Sequence, residues 1–153
     1  MDSMLEKSVA FEDHLNKWKT ASLEQLQIKF ENTADTNFIK KQKYGANVDQ
    51  ALLVFAAREP PLKQGLLDRF LAACSLAEIS AVITVNKIDQ GLDDVAGLLA
   101  VYEGLGYPVC RVSARTGWGL GTIKRLLVDR TSLFCGPSGV GKSSLLNGFT
   151  RQR

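Results

Sequence analysis

The hydrophobic positions of this chain settle into a rhythm only after about residue 45. Residues 50–57, QALLVFAA, form an unbroken apolar run, the pattern of a strand covered on both faces. Pro60-Pro61 ends it. In 62–78, Leu62, Leu66, Leu67, Phe70, Leu71 and Cys74 recur at helical spacing. Residues 80–87, SAVITVNK, predict a second buried strand rich in β-branched side chains, and 92–106 a second helix closed by Gly106. The pattern continues with a strand over 107–114, a helix over 119–129, a strand over 131–136 and the start of a helix over 142–152. Strands alternating with helices in this way predict an α/β fold, a parallel sheet with helices on both faces. Ligands of such sheets bind beyond the carboxyl ends of the strands.

Residues 1–44 do not share that rhythm and contain neither Gly nor Pro. Leu5, Val9, Leu15 and Trp18 fall near one helical face, and Ser22 and Gln25 have capping-box spacing. The segment therefore reads as helical. Leu26, Ile28 and Phe30 also alternate with period two, which leaves a short strand there as the open alternative. The organisation expected is an N-terminal segment, 1–44, followed by an α/β domain, 45–153.

A length of 153 residues suits about one domain. No apolar run approaches the ~18 residues of a membrane span, and the acidic residues Asp2, Glu6, Glu12 and Asp13 do not suit a secretory leader. Cys74, Cys110 and Cys135 have no metal-site spacing and are expected as buried reduced thiols, in keeping with a cytoplasmic location. His14 is expected to be an ordinary surface residue. The formal charge of +3 permits contact with RNA but does not require it.

Candidate chemistry follows three of the strands. Gly136-Pro137-Ser138-Gly139-Val140-Gly141-Lys142-Ser143 fits the phosphate-loop pattern G-x-x-x-x-G-K-[ST], with Ser144 next in the helix. The glycines let backbone N–H groups turn inward around a polyphosphate, and the helix adds its positive N-terminal end. Lys142 would reach the β- and γ-phosphates, and Ser143 would offer its hydroxyl to Mg²⁺. After the second strand come Asn86, Lys87 and Asp89 in the pattern N-K-x-D. Two carboxylate oxygens on Asp89 can accept from guanine N1–H and its exocyclic amine, a donor pair adenine lacks. The Lys87 stem can lie over the base, and Asn86 can bond the base or tie the neighbouring loop. After the third strand, Ser113 can brace its loop, and a backbone N–H near Ala114 can donate to guanine O6.

These strings resemble guanine-nucleotide motifs, yet in an unusual order: N-K-x-D first, Ser-Ala second and the phosphate loop last. That is the order of circularly permuted GTPases. Over about residues 45–150 the chain resembles the ribosome small subunit-dependent GTPase family (RsgA/YjeQ), through VITVNKID, VSARTGWGL and TSLFCGPSGVGKSSLLN. The resemblance implies hydrolysis of GTP to GDP and phosphate with Mg²⁺, coupled to late maturation of the small (30S) ribosomal subunit, with that subunit and its rRNA as partners.

The chain also departs from the family pattern. Family members begin with an RNA-binding five-stranded barrel, and 1–44 is too short and too poor in turn residues for one. It is expected to be a degenerate or replaced version. The switch regions and zinc domain that follow the phosphate loop in the family have no counterpart after Lys142: no Asp-x-x-Gly and no Cys/His cluster. The expected fold is thus an incomplete P-loop GTPase domain, weak or inactive in hydrolysis, or else a non-catalytic guanine-nucleotide or RNA-binding fragment. By family analogy, the four strands should lie in the order third, second, first, fourth. TSLFC, 131–135, would then form an exposed apolar edge inviting self-association.

Overall fold

A computed structural model describes the backbone of residues 27–31 and 48–151. Among these, five strands form one parallel sheet: β1 Gln27–Glu31, β2 Gln50–Ala56, β3 Ser80–Asn86, β4 Val109–Arg111 and β5 Thr131–Cys135, in the order β1-β5-β2-β3-β4. The helices are α1 Gln64–Leu76, α2 Ala96–Gly104, α3 Leu120–Leu127 and α4 Lys142–Arg151.

Strand β2 is buried along its whole length, because helices cover both of its faces. Ala51, Leu53 and Phe55 meet Leu67, Phe70 and Cys74 of α1 and Leu99 of α2 in one core. Leu52, Val54 and Ala56 point the other way, to Leu120, Ile123 and Leu127 of α3 and Leu145 and Phe149 of α4. Period two in the strand has placed alternate residues in separate cores. The Tyr102 hydroxyl donates to Asp68, which ties α2 to α1. Phe134 meets Phe149 edge-on, at 6.2 Å between ring centroids and 83° between planes. That contact holds α4 against β5, the two elements that flank the phosphate loop.

Two expectations are corrected. The chain from Thr131 to Cys135 is not a sheet edge. It pairs with β2 on one side and, residue for residue, with β1 on the other, Gln27 opposite Thr131 through Glu31 opposite Cys135. The backbone groups expected to recruit a second copy are thereby satisfied within the chain, and the ground for self-association through that edge is gone. The helical reading of 1–44 also fails at 27–31, where the period-two alternative describes the backbone. Pairing with an otherwise open strand edge outweighed local helix propensity. The capping-box residues, the helical face from Leu5 to Trp18, and His14 lie outside the described residues.

The order of the other four strands, β4-β3-β2-β5, is the one anticipated. Among the described residues no helix is long and apolar enough to cross a membrane. All three cysteines are buried free thiols. Burial pushes the Cys74 thiol up to about 12, so it has almost no thiolate at neutral pH. The native protein should resist iodoacetamide at pH 8 and take up three labels per chain in denaturant. Mass spectrometry showing prompt labelling of Cys74 in the native state would refute this burial.

Candidate functional site

The carboxyl ends of β3, β5 and the short β4 bring every motif residue to one end of the sheet. Asn86 is the last residue of β3 and is 2% exposed. At Lys87 the backbone turns left-handed (φ 63°, ψ 33°), and a 3-10 turn over Ile88–Gln90 carries Asp89 outward. This conformation is uncommon for a residue with a Cβ. Two hydrogen bonds from the Lys87 side chain hold it in place: Nζ donates to the Glu59 carbonyl (2.8 Å) and to the Gly139 carbonyl (2.7 Å).

Asn86 supplies the second set of ties. Its Nδ2 donates to the Val140 carbonyl at 2.9 Å, and its Oδ1 accepts from the Ala114 N–H at 3.0 Å. One buried carboxamide thus joins the loop after β3 to the loops after β4 and β5. Gly141 must be glycine here: its φ is 93°, and a Cβ would run into Asn86 Nδ2. The Ala114 N–H, a candidate donor to a base, is held by Asn86.

The Ser113 hydroxyl donates to Asp89 Oδ1 at 2.7 Å and accepts from the Thr116 N–H at 3.1 Å. This is the bracing expected of that serine. Arg115 Nη1 stands 3.5 Å from Asp89 Oδ2. The Ser113 hydrogen bond, with help from Arg115, holds the Asp89 carboxyl below the usual carboxylate range. Asp89 is therefore an acceptor at neutral pH.

The phosphate loop crosses from β5 to α4 as the sequence pattern requires. Lys142 opens α4 and is 3% exposed. Its ammonium donates to the carbonyls of Gly136 and Pro137, both at 2.7 Å. Burial lowers its pKa from the ordinary lysine value. Val140 is buried beneath the loop, whereas Ser138, Gly139, Ser143 and Ser144 face solvent. A cavity of about 430 Å³ lies between the base-side loops and α4, bounded by Asn86, Asp89, Ala114, Arg115, Ser144 and Asn147 among others.

Sequence reasoning missed three participants. Arg115 stands inside the quoted VSARTG string, and a cation two residues after a bracing serine was the signal available. Asn147 lies one helical turn beyond Ser144, on the same face of α4. Glu59 takes part through its carbonyl, which any residue carries, so no sequence signal marks it.

A family model for the RsgA GTPase matches residues 26–153. A "Small ribosomal subunit biogenesis GTPase RsgA" from Moorella thermoacetica is 51% identical over 104 residues, covering 68% of this chain and 36% of that protein. A relative of the same name from Sodalis glossinidius is 44% identical over 108 residues, covering 68% and 31%. The chain thus spans about a third of the length of these curated relatives. Among solved structures, YjeQ from Thermotoga maritima superposes with a TM-score of 0.64 at 38% identity, over 71% of this chain and 40% of that one. YloQ, described as a circularly permuted GTPase, gives 0.58 at 41% identity, over 66% and 37%.

Proposed function

The chain belongs to the RsgA GTPase family, and on that premise we propose that the domain from residue 45 onward binds a guanine nucleotide across the ends of β3, β4 and β5. Asp89 reads the base through its N1–H and exocyclic amine. Lys87 lays its stem along the base, and the Ser113-Ala114 turn holds the rim. The loop from Gly136 to Ser144 takes the phosphates, with Lys142 as their counter-charge. The observation that carries this reading is the coupling of the two half-sites. Asn86 and Lys87, consecutive residues of the base loop, both hydrogen-bond carbonyls of the phosphate loop. A base-reading carboxylate and a phosphate-binding loop are thereby fixed relative to each other before a ligand arrives, which lowers the ordering cost of binding.

The family also implies Mg²⁺. The exposed Ser143 hydroxyl, a hard oxygen donor at the start of α4, suits that ion, and the cation would neutralise charge on the β- and γ-phosphates. GTPase activity and biogenesis of the small ribosomal subunit are what the names of the relatives state, and we propose the same process for this chain. Binding is what these residues supply directly: they hold the base, the phosphates and one metal ligand. Attack on the γ-phosphate needs in addition a group that orients water. A polypeptide of these 153 residues is accordingly proposed to bind GTP and GDP and to turn GTP over slowly.

Calorimetric titration with GDP and ADP in the presence of Mg²⁺ tests the reading. GDP is expected to bind at least about tenfold more tightly, because a site built to accept a donor pair rejects the base that lacks it. Equal affinities would overturn the role of Asp89.

A further inference from the structure

Asp89 already has a donor at each carboxylate oxygen. Its Oδ1 is held by Ser113 at 2.7 Å, while its Oδ2 faces Arg115 Nη1 at 3.5 Å. A guanidinium presents planar, forked N–H donors to a carboxylate. The Watson–Crick edge of guanine presents the same arrangement, N1–H beside an amine. Arg115 also lines the 430 Å³ cavity into which that edge would point. Its side chain is 84% exposed, so little packing holds it there.

Taking the guanine reading of the site as its basis, we propose that Arg115 is an internal competitor for the base: its Nη1 sits against Asp89 Oδ2, one of the two oxygens that the guanine donor pair would take, and must swing away before a guanine nucleotide seats. The Ser113 bond to Oδ1 does not conflict with this exchange, since a carboxylate oxygen accepts more than one donor. The Ser113-Ala114-Arg115 turn stays in place throughout, because Ala114 and Ser113 are tied separately to Asn86 and Thr116. Only the Arg115 side chain moves. Arg115 therefore lowers affinity for ligands that need both carboxylate oxygens, and has less effect on those that need one. It acts as a specificity-determining residue.

The test measures Kd for GDP and for inosine diphosphate, whose base keeps N1–H but has no exocyclic amine. Wild type, Arg115→Ala and Asp89→Ala are compared at low and high salt. Arg115→Ala is expected to tighten GDP binding about two- to fivefold, the range that displacing an exposed ion pair allows. It should tighten inosine diphosphate less, so that preference for GDP widens. The wild-type-to-variant ratio should approach one at about 1 M salt, where an exposed pair is screened. The phosphate contribution to salt dependence cancels in that ratio. Unchanged or weaker GDP binding in Arg115→Ala would overturn the proposal, weaker binding meaning that the guanidinium supports the bound base instead. Failure of the guanine reading itself would look different: wild-type GDP binding absent or indifferent to Asp89→Ala.

Discussion

Lys142→Ala should cut GDP affinity by roughly 10- to 100-fold while leaving the fold in place. The Lys142 ammonium is buried and points at two loop carbonyls, Gly136 and Pro137, at 2.7 Å. Those carbonyls hold the charge within the loop. A charged hydrogen bond contributes about 1.5–3 kcal/mol, and about 1.4 kcal/mol is tenfold in affinity, which sets the expected range. In the free protein the same charge is costly, since burial lowers its pKa. Removing it should not greatly destabilise the unliganded chain. An anionic phosphate favours the protonated amine, so GDP binding is linked to proton uptake. Affinity should therefore decline as pH rises through the lowered pKa of Lys142, whereas in Lys142→Ala only the decline set by ionisation of the guanine N1–H should remain. Calorimetry across pH, with circular dichroism to certify the fold, checks both points. Full GDP affinity in the variant would remove Lys142 from the phosphate site.

Much of this arrangement is legible in the sequence. Buried parallel strands announce themselves as unbroken apolar runs, and β2 and β3 lie where QALLVFAA and SAVITVNK place them. The helices are shorter than their periodic stretches: Ala96–Gly104 against 92–106, for example, because the flanking residues turn rather than coil. Strand β4 shrank to Val109–Arg111, its expected end at Ser113-Ala114 being drawn into the turn that Ser113 caps. The site residues were legible because each motif follows a strand of one sheet, and topology then brings them together. What the motifs could not reveal were the ties between loops. Lys87 reaches Glu59 and Gly139, and Asn86 reaches Val140, across sequence separations of 28 to 54 residues. Such bonds end on backbone carbonyls, which every residue has. The place of 27–31 was ambiguous for another reason. Its alternation is short, and the choice between helix and strand depended on whether β5 had a vacant neighbour, a question of tertiary structure.

Gly136→Ala should destabilise the protein by about 2–5 kcal/mol, a larger effect than any surface change near the site. Gly136 follows the last residue of β5 and lies against the central strand. A Cβ there would strike the Val54 carbonyl oxygen. Val54 cannot give way easily: β2 is 0–1% exposed from Ala51 to Ala56 and hydrogen-bonds to β3 and β5 on its two sides. Forcing an atom into such a core costs about 1–3 kcal/mol. The backbone of Gly136, at φ 151°, adds a comparable strain for a residue with a side chain. The thermal midpoint should fall by roughly 4–20 °C, about 2–4 °C for each kcal/mol in a chain of this size. Gly65→Ala is the matched control, because nothing stands within 4 Å of its Cβ on α1. There the same chemical change should raise stability by about 0.5–1 kcal/mol through helix propensity. If both variants melted alike, the close approach of the phosphate loop to β2 would be wrong. The glycine would then serve the ligand alone, and GDP affinity rather than the melting temperature would carry the loss.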